Sequence, residues 1–278
     1  MNHTMKQFLV WGAAFLFLAW CSHDTNEKQA DVVPETAPTQ EEIMQAKTMS
    51  KIYNFPIGEE YIYIHPIAHA TAMVEWWDDV IFADPAEDIE KYKWYTPSIV
   101  FISHEHGDHF KNDVLEALNT PDVKFLASQS VYDQLSAELQ ANTTAMVNGD
   151  TLEHNGFTIT AIPAYNIREE ALGFHPEGRD NGYIFEKDGY RVYFSWDSED
   201  TPEMRALEDI DIAFVSMNLP YTMSIESAIS WVLDFAPTVV FPYHYRGKEG
   251  VADIEAFKLG LETQNSDISV MIHDWYSE

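Results

Sequence analysis

The chain consists largely of short apolar runs separated by turn residues, and this pattern predicts a body rich in β-strands. Residues 98–103, with the sequence SIVFIS, form a continuous apolar run typical of a strand that is buried on both faces. The other runs are enriched in β-branched and aromatic residues and end near Gly, Pro, Asn or Asp. The pattern predicts strands at 61–64, 73–82, 98–103, 124–127, 158–162, 182–186, 191–195, 212–216, 238–241 and 268–272.

Apolar residues at helical spacing lie between several of these strands. The spacing predicts helices at 112–118, 130–139, 225–233 and 254–261. Strands with helices interspersed along the whole body indicate an α/β fold or a layered αββα fold. No stretch within residues 46–278 has the composition of a linker, so we expect one domain there.

The first 45 residues differ in composition from the rest of the chain. Residues 8–20 form an apolar run that is short for a bilayer span and typical of a signal-peptide core. The run ends at Cys21 and resembles a bacterial lipoprotein signal, which predicts removal of residues 1–20 and a lipid on Cys21. Ordinary secretion and an uncleaved anchor are the alternatives. Residues 21–45 are polar and acidic and predict a flexible tether, so we expect a lipid-anchored domain in the cell envelope, facing the periplasm or the exterior.

Composition and charge narrow the classes of partner. Lys and Arg total 16 against 46 for Asp and Glu, giving a formal net charge of −30, and no basic stripe is present for binding a nucleic-acid groove. Hydrophobic residues at 46% exclude a disordered chain. Because Cys21 is the single cysteine, no disulfide can form within the chain.

One hexapeptide, HEHGDH at 104–109, carries most of the chemical information. It places His104, His106, Asp108 and His109 directly after the predicted buried strand 98–103. His104 and His106 point the same way at a spacing of two, and the turn at 107 brings the other two to a neighbouring point. Imidazole suits zinc and iron, and carboxylate oxygen also admits manganese. The motif therefore predicts two adjacent divalent metal ions, zinc first, with manganese or iron as alternatives.

This HxHxDH motif resembles the signature of the metallo-β-lactamase superfamily. The resemblance to that superfamily covers roughly residues 58–275. The resemblance implies an αββα sandwich with a dinuclear metal site at the ends of its sheets. Further segments resemble the branch that includes ascorbate-6-phosphate lactonase. Those segments are 69–71, 84–85, 193–197, 220–223 and 242–247.

The resemblance also implies a set of metal ligands. His104 and His106 match ligands of the first site, and Asp108 and His109 match ligands of the second site. Asp197 matches the aspartate that bridges the two metals, although its neighbours differ from the usual pattern. The remaining ligand of the second site matches His244.

The third histidine of the first site is where this chain departs from the family pattern. Asn166 stands where relatives often have histidine, and an amide oxygen is a poorer zinc ligand than imidazole. We favour His175, nine residues further on, as the ligand that completes the site. The alternative is that His175 faces substrate or solvent and that the first site lacks one ligand. For His69, a supporting role beside a ligand and a purely structural role remain open.

Several residues near the last ligand are candidates for substrate binding. Arg246 could clamp a substrate carboxylate or phosphate, or could form a salt bridge to one of the many acidic residues. Tyr245 or Tyr165 could donate to an oxyanion, and Tyr221 and Met223 could line the same mouth. Asp108 could both bind metal and shuttle a proton.

These residues predict a dinuclear metal-dependent hydrolase in which a metal-bridging hydroxide attacks a small lactone or ester. A phosphodiesterase or phospholipase acting on a lipid-derived substrate is the first alternative, followed by a β-lactamase. A metal-binding lipoprotein without enzymatic activity is the last. The expected partner is a small molecule, anionic or lipid-derived, and the expected membrane contact is the lipid on Cys21.

Overall fold

A computed structural model of the chain describes residues 52–276, which contain two seven-stranded mixed sheets. The predicted signal peptide, Cys21 and the tether at 21–45 lie outside the described residues. Within 52–276, no helix is long and apolar enough to cross a membrane.

The first sheet follows the order of the chain, β1 to β7. Its first four strands are antiparallel neighbours, and β4 through β7 pair in parallel. Its strands are β1 Tyr53–Ile57, β2 Glu60–Ala68, β3 Thr71–Trp76, β4 Asp79–Ala83, β5 Ile99–Ile102, β6 Lys124–Ser128 and β7 Thr143–Met146.

The second sheet has the order β16-β13-β12-β11-β10-β9-β8. Strands β8 to β11 are antiparallel neighbours, whereas β11, β12, β13 and β16 pair in parallel. Its strands are β8 Thr151–His154, β9 Phe157–Ala164, β10 Asp180–Lys187, β11 Tyr190–Phe194, β12 Ile212–Ser216, β13 Val239–Tyr243 and β16 Ser269–Val270. A separate small hairpin joins β14 Arg246–Gly247 to β15 Gly250–Val251.

Six α-helices and one 3₁₀ turn, Ile89–Lys91, lie between these strands in the described part of the chain. The helices are α1 Asn112–Leu118, α2 Gln129–Tyr132, α3 Ala137–Asn142, α4 Pro202–Arg205, α5 Ile225–Phe235 and α6 Ile254–Gln264. Ser136, Thr201 and Ser224 cap α3, α4 and α5, because each side chain accepts a hydrogen bond from a backbone N–H in the first turn.

Strand β5 shows why its sequence is apolar at every position. Phe101 faces the core between the sheets, where its ring lies 4.7 Å from that of Trp196. Val100 and Ile102 face the opposite way, into a second cluster that includes Val114 and Leu115 of α1. Both faces of the strand are therefore covered, which confirms the interpretation of residues 98–103. The αββα architecture agrees with the predicted fold class.

Two predicted elements are wrong in detail. Residues 73–82 form not one strand but the hairpin β3–β4, which turns at Trp77 with a positive φ of 59°. Residues 130–139 are divided between α2 and α3, since Ser136 has an extended backbone and begins a new helix. Strands β1, β7 and β8 were not predicted.

Candidate metal centre

The loop after β5 carries the four predicted ligands of the hexapeptide. A turn closes it, in which the backbone N–H groups of His109 and Phe110 both donate to the carbonyl of His106. His104 and His109 are buried, and Asp108 keeps about half of its side chain exposed. The parallel pairing of β4 with β5 and of β12 with β13 brings other loops to the same region.

A first group of donor atoms comprises His104, His106 and His175, whose nitrogen atoms lie within 4.8 Å of one another. Nε2 of His104 is 3.1 Å from Nδ1 of His106. The ring of His175 has its centroid 4.9 Å from the centroids of both. His175 therefore lies beside His104 and His106, where a third histidine of the first site is expected, although it is not at the sequence position of Asn166.

Asp180 holds the His175 ring in place. Its Oδ2 lies 3.1 Å from Nδ1 of His175, which leaves Nε2 facing the other histidines. Arg179 donates to both carboxylate oxygens of Asp180, at 2.7 and 2.8 Å. Asp180 was not predicted from the sequence, although an acidic residue five positions after a candidate histidine ligand could have suggested a hydrogen bond to that ring.

A second group comprises His109, Asp197 and His244, with Asp108 beside them. Nε2 of His109 is 3.0 Å from Nε2 of His244, and the latter is 3.1 Å from Oδ1 of Asp197. Oδ2 of Asp108 lies 3.6 Å from His244 and 3.9 Å from His109. Donors bound tetrahedrally at about 2.0–2.1 Å lie roughly 3.3 Å apart. These separations therefore fit one cation.

Asp197 lies between the two groups. Its Oδ2 is 3.5 Å from Nε2 of His175 in the first group, while its Oδ1 faces His244 in the second. Oδ1 is buried, and Nε2 of His244 is its polar neighbour among the described residues, at 3.1 Å. A buried carboxylate is costly unless a positive charge balances it, so Asp197, with one oxygen towards each group, fits a bridging metal ligand.

Asn166 makes a different kind of contact. Its Nδ2 donates to the carbonyls of Ala171 at 3.0 Å and Tyr221 at 2.6 Å, and its backbone N–H donates to the carbonyl of His175. The amide group therefore fastens the loop between β9 and β10 that carries His175. Its Oδ1 is buried and has no hydrogen-bond partner among residues 52–276. Whether His175 or Asn166 binds metal stays a prediction.

Asp84 is a supporting residue whose place in the site was not predicted from the sequence. It follows β4 and is fully buried, 2.7 Å from Nδ1 of His109. Its carboxylate also accepts hydrogen bonds from the backbone N–H and hydroxyl of Ser103. Burial raises the pKa of Asp84 to about 6 despite these hydrogen bonds, which act to lower it. Its contact with His109 leaves Nε2 of that ring directed towards His244.

Burial and neighbouring charges shift the pKa values of the residues in this centre. Burial holds the pKa of His104 well below its ordinary value, and neighbouring imidazoles act in the same direction. Burial alone would lower the pKa of His109, but Asp197 and Asp84 raise it to about 9. Burial alone would raise the pKa of Asp197, but the charges of His244 and His109 hold it well below its ordinary value. A metal ion would replace the proton that Asp197 and Asp84 otherwise hold on His109.

His69 lies beside the second group. Its Nε2 is 3.0 Å from Oδ2 of Asp108, and its ring centroid is 4.1 Å from that of His244. The backbone at His69 has a positive φ of 51°, and its N–H donates to the carbonyl of Trp275. The contact with Asp108 agrees with the supporting role that the sequence left open.

The two groups open into a cavity of about 290 Å³. Arg246 and Tyr221 line it as expected, and Phe174 and Asn218 are additional lining residues. The cavity is lined by His69, His106, Asp108, Phe174, His175, Asp197, Asn218, Tyr221, His244 and Arg246. Its size suits a small molecule.

Three aromatic and apolar candidates do not line this cavity. Tyr245 is buried and its hydroxyl donates to the carbonyl of His273 at 2.9 Å, so its expected role as an oxyanion donor is wrong. The hydroxyl of Tyr165 donates to Glu203 instead. Met223 lines a neighbouring cavity together with Tyr245. His244 and Arg246 line the metal cavity, whereas Tyr245, between them in the chain, lines the neighbouring one.

Comparison with known proteins identifies the family. A family model described as a β-lactamase superfamily domain matches residues 63–244. A UPF0173 metal-dependent hydrolase of Thermococcus onnurineus is 28% identical over 165 residues, which is 58% of this chain and 72% of the relative. A UPF0173 metal-dependent hydrolase of Deinococcus radiodurans is 28% identical over 181 residues, or 62% and 78% of the two chains.

Two solved structures of metal-dependent hydrolases are similar to this chain. The crystal structure of a candidate metal-dependent hydrolase from Parabacteroides distasonis has a TM-score of 0.73 and 33% identity, and the match covers 81% of this chain and 99% of that one. Igni18, a metallo hydrolase from Ignicoccus hospitalis, has a TM-score of 0.65 at 24% identity, covers 77% and 95%, and shows the fold alone. The chain therefore belongs to the metallo-β-lactamase superfamily and is a metal-dependent hydrolase of that superfamily.

Proposed function

We propose that the protein binds two divalent metal ions and hydrolyses a small lactone or ester. The observation that carries this proposal is the position of Asp197 between two histidine groups. Within each group the donor atoms lie within 4.8 Å of one another. His104, His106 and His175 would hold one ion, and Asp108, His109 and His244 the other. Zinc suits this donor set best, with manganese or iron as alternatives.

Cations bound at these donors would supply Lewis-acid activation of a water molecule and of the substrate oxygen. The side chains of the protein would hold the cations in place and transfer the proton of the attacking water. Asp108 is the carboxylate of the centre that remains half exposed, so it can accept the proton of the attacking water and return it to the leaving group. His69, 3.0 Å from Asp108, orients that carboxylate.

A phosphodiester substrate is the second candidate. The observation that favours it is the guanidinium of Arg246 at the edge of the cavity, because guanidinium groups bind phosphate oxygens in pairs. The resemblance to the ascorbate-6-phosphate lactonase branch supports the lactone. The phospholipase and β-lactamase alternatives, and a metal-binding protein without activity, remain as outcomes of the same experiment.

The test is turnover of a substrate panel by protein loaded with zinc, manganese or iron. The panel contains lactones, carboxylic esters, phosphodiesters and β-lactams, and we expect the lactones or esters to be hydrolysed fastest. Elemental analysis should give two ions per chain, fewer in His106→Ala and two in His154→Ala, a histidine on β8 outside the donor groups. Less than one ion per wild-type chain after loading would contradict the proposal.

We further propose that the domain acts in the cell envelope through a lipid on Cys21. The support is the apolar run at 8–20, which ends next to the single cysteine. A fatty-acid probe should label the wild-type protein and the Ser22→Ala control, whereas Cys21→Ser should remain unlabelled. Mature protein that begins elsewhere and carries no label would instead indicate ordinary secretion.

A further inference from the structure

Within residues 52–276 of this acidic protein, Arg246 is the arginine that forms no ion pair with a carboxylate. The chain contains five arginines, all within the described residues, and four of them have a carboxylate oxygen within 4.0 Å. These four are Arg168, Arg179, Arg191 and Arg205. Within 52–276, Arg246 has no such ion pair, although acidic residues outnumber basic ones by 46 to 16. The unpaired guanidinium is the one that lines the metal cavity.

An aromatic side chain fixes the position of Arg246. The guanidinium carbon lies 4.0 Å from the ring centroid of Tyr276, a cation–π arrangement. The hydroxyl of the same tyrosine accepts a hydrogen bond of 2.9 Å from the backbone N–H of Arg246. Tyr276 therefore contacts both the backbone and the charged end of this arginine, which limits the positions that the guanidinium can take.

The segment that carries Tyr276 is itself attached to the metal centre. The indole of Trp275 donates to the carbonyl of Pro242 at the end of β13. The carbonyl of Trp275 accepts the backbone N–H of His69, whose side chain contacts Asp108. The platform under Arg246 thus has a defined position relative to the candidate metal ligands.

The chemistry of the cavity wall defines what this group can bind. Two further lining residues are aromatic, Phe174 and Tyr221, and their rings make an edge-to-face contact at 5.1 Å. The acidic residues of the cavity, Asp108 and Asp197, face the donor groups of the metal centre. Arg246 is therefore the fixed positive charge left to a substrate, and its planar fork matches two oxygens of one carboxylate or phosphate.

We propose that Arg246, supported by Tyr276, forms a subsite for a carboxylate or phosphate on the part of the substrate that does not react. This inference rests on the proposed hydrolase function and narrows its substrate to an anionic molecule. Arg246 contacts the substrate, whereas Tyr276 is a positioning residue that acts through Arg246.

Equilibrium binding tests the subsite without requiring turnover. The probes are succinate and inorganic phosphate, titrated calorimetrically into zinc-loaded protein, and their relative affinities distinguish the carboxylate from the phosphate form. Arg246→Met should weaken the better-bound probe by about 10- to 100-fold, because a charge-assisted hydrogen-bonded pair is lost. The matched control is Lys248→Met, which removes an exposed positive charge two residues away and outside the cavity lining; it should change affinity less than twofold.

Variants of Tyr276 test its positioning role. Tyr276→Leu should weaken binding of the same probe several-fold, and Tyr276→Phe, which keeps the ring, should recover most of it. Zinc content should remain at the wild-type value in all four variants.

Turnover provides a second readout when a substrate of the panel is hydrolysed. Arg246→Met should raise KM for a succinate monoester while leaving KM for the matched neutral ester within twofold. A panel without turnover but with Arg246-dependent probe binding would contradict the hydrolase proposal and leave the subsite supported. Equal binding by wild type and Arg246→Met, or equal losses in Arg246→Met and Lys248→Met, would overturn the subsite.

Discussion

At the scale of single residues, His175 and Asn166 occupy one loop but make opposite contacts. Nε2 of His175 faces Asp197, whereas Nδ2 of Asn166 donates to two backbone carbonyls. A histidine directed at a carboxylate within a donor group suits a metal ligand. An amide whose N–H groups are occupied by the backbone suits a structural anchor.

We expect His175→Ala to reduce bound metal by about one ion per chain and to lower kcat by at least about 100-fold, because one ion would lose a ligand. Asn166→Ala should keep both ions but destabilise the fold by about 1–3 kcal/mol, since one buried and one half-buried carbonyl lose their donor. Elemental analysis and thermal unfolding measure the two effects separately. Two ions and normal turnover in His175→Ala would show that another group fills the position.

The residues that could be predicted from sequence are those that lie close together in the chain. The hexapeptide at 104–109 is local, so the spacing of its four donors is visible in the amino-acid sequence alone. Asp84 could not be identified in this way, because its contact with His109 depends on the register in which β4 pairs with β5. Tyr276 is a second case, since its contact with Arg246 spans thirty residues of chain.

At the scale of elements, Asp79 connects the two sheets at the end of β4 that lies away from the metal centre. Its Oδ2 accepts from Lys187 at the end of β10, at 3.0 Å. Its Oδ1 accepts from Asn155 in the β8–β9 turn and from Ser98 before β5. This connection could not be predicted from the sequence, because the apolar pattern of residues 73–82 indicates one uninterrupted strand with Asp79 inside it.

The charge of Asp79 predicts how stability depends on pH. Burial alone would raise the pKa of Asp79, but its hydrogen bonds from Lys187, Asn155 and Ser98 and the charge of Lys187 lower it below 3.8. A carboxyl group with a depressed folded pKa stabilises the fold above its unfolded pKa. That contribution is lost as the pH falls through the folded pKa.

We therefore expect Asp79→Asn to lower the free energy of unfolding by about 1–2 kcal/mol at pH 6, where Lys187 loses a charged partner. The difference from wild type should shrink as the pH falls from about 3.8 through the lower folded pKa of Asp79, where the wild-type carboxylate also becomes neutral. Denaturant unfolding at several pH values measures this. Asp78→Asn, an exposed neighbour, is the control and should remain within about 0.5 kcal/mol of wild type. A constant difference across the pH range would contradict the explanation.

At the scale of the whole molecule, the candidate metal centre joins loops from both sheets. Residues 104–109 follow β5 of the first sheet, whereas Asp197 and His244 follow β11 and β13 of the second. His175 lies between β9 and β10, also in the second sheet. Cations held by these residues would connect the two halves of the sandwich and balance the buried carboxylates between them.

Metal removal should consequently destabilise the entire fold rather than the loops alone. A ligand present at about 1,000 times its Kd stabilises the folded state by about 4 kcal/mol, which corresponds to roughly 10 °C in Tm for a domain of this size. We expect a chelator to lower Tm by about that amount and added zinc to restore it, as followed by calorimetry with elemental analysis of each sample. His106→Ala should show a smaller chelator effect, because it begins with less metal. An unchanged Tm in wild-type protein shown to be free of metal would mean that packing between the sheets, and not the cations, holds these loops in position.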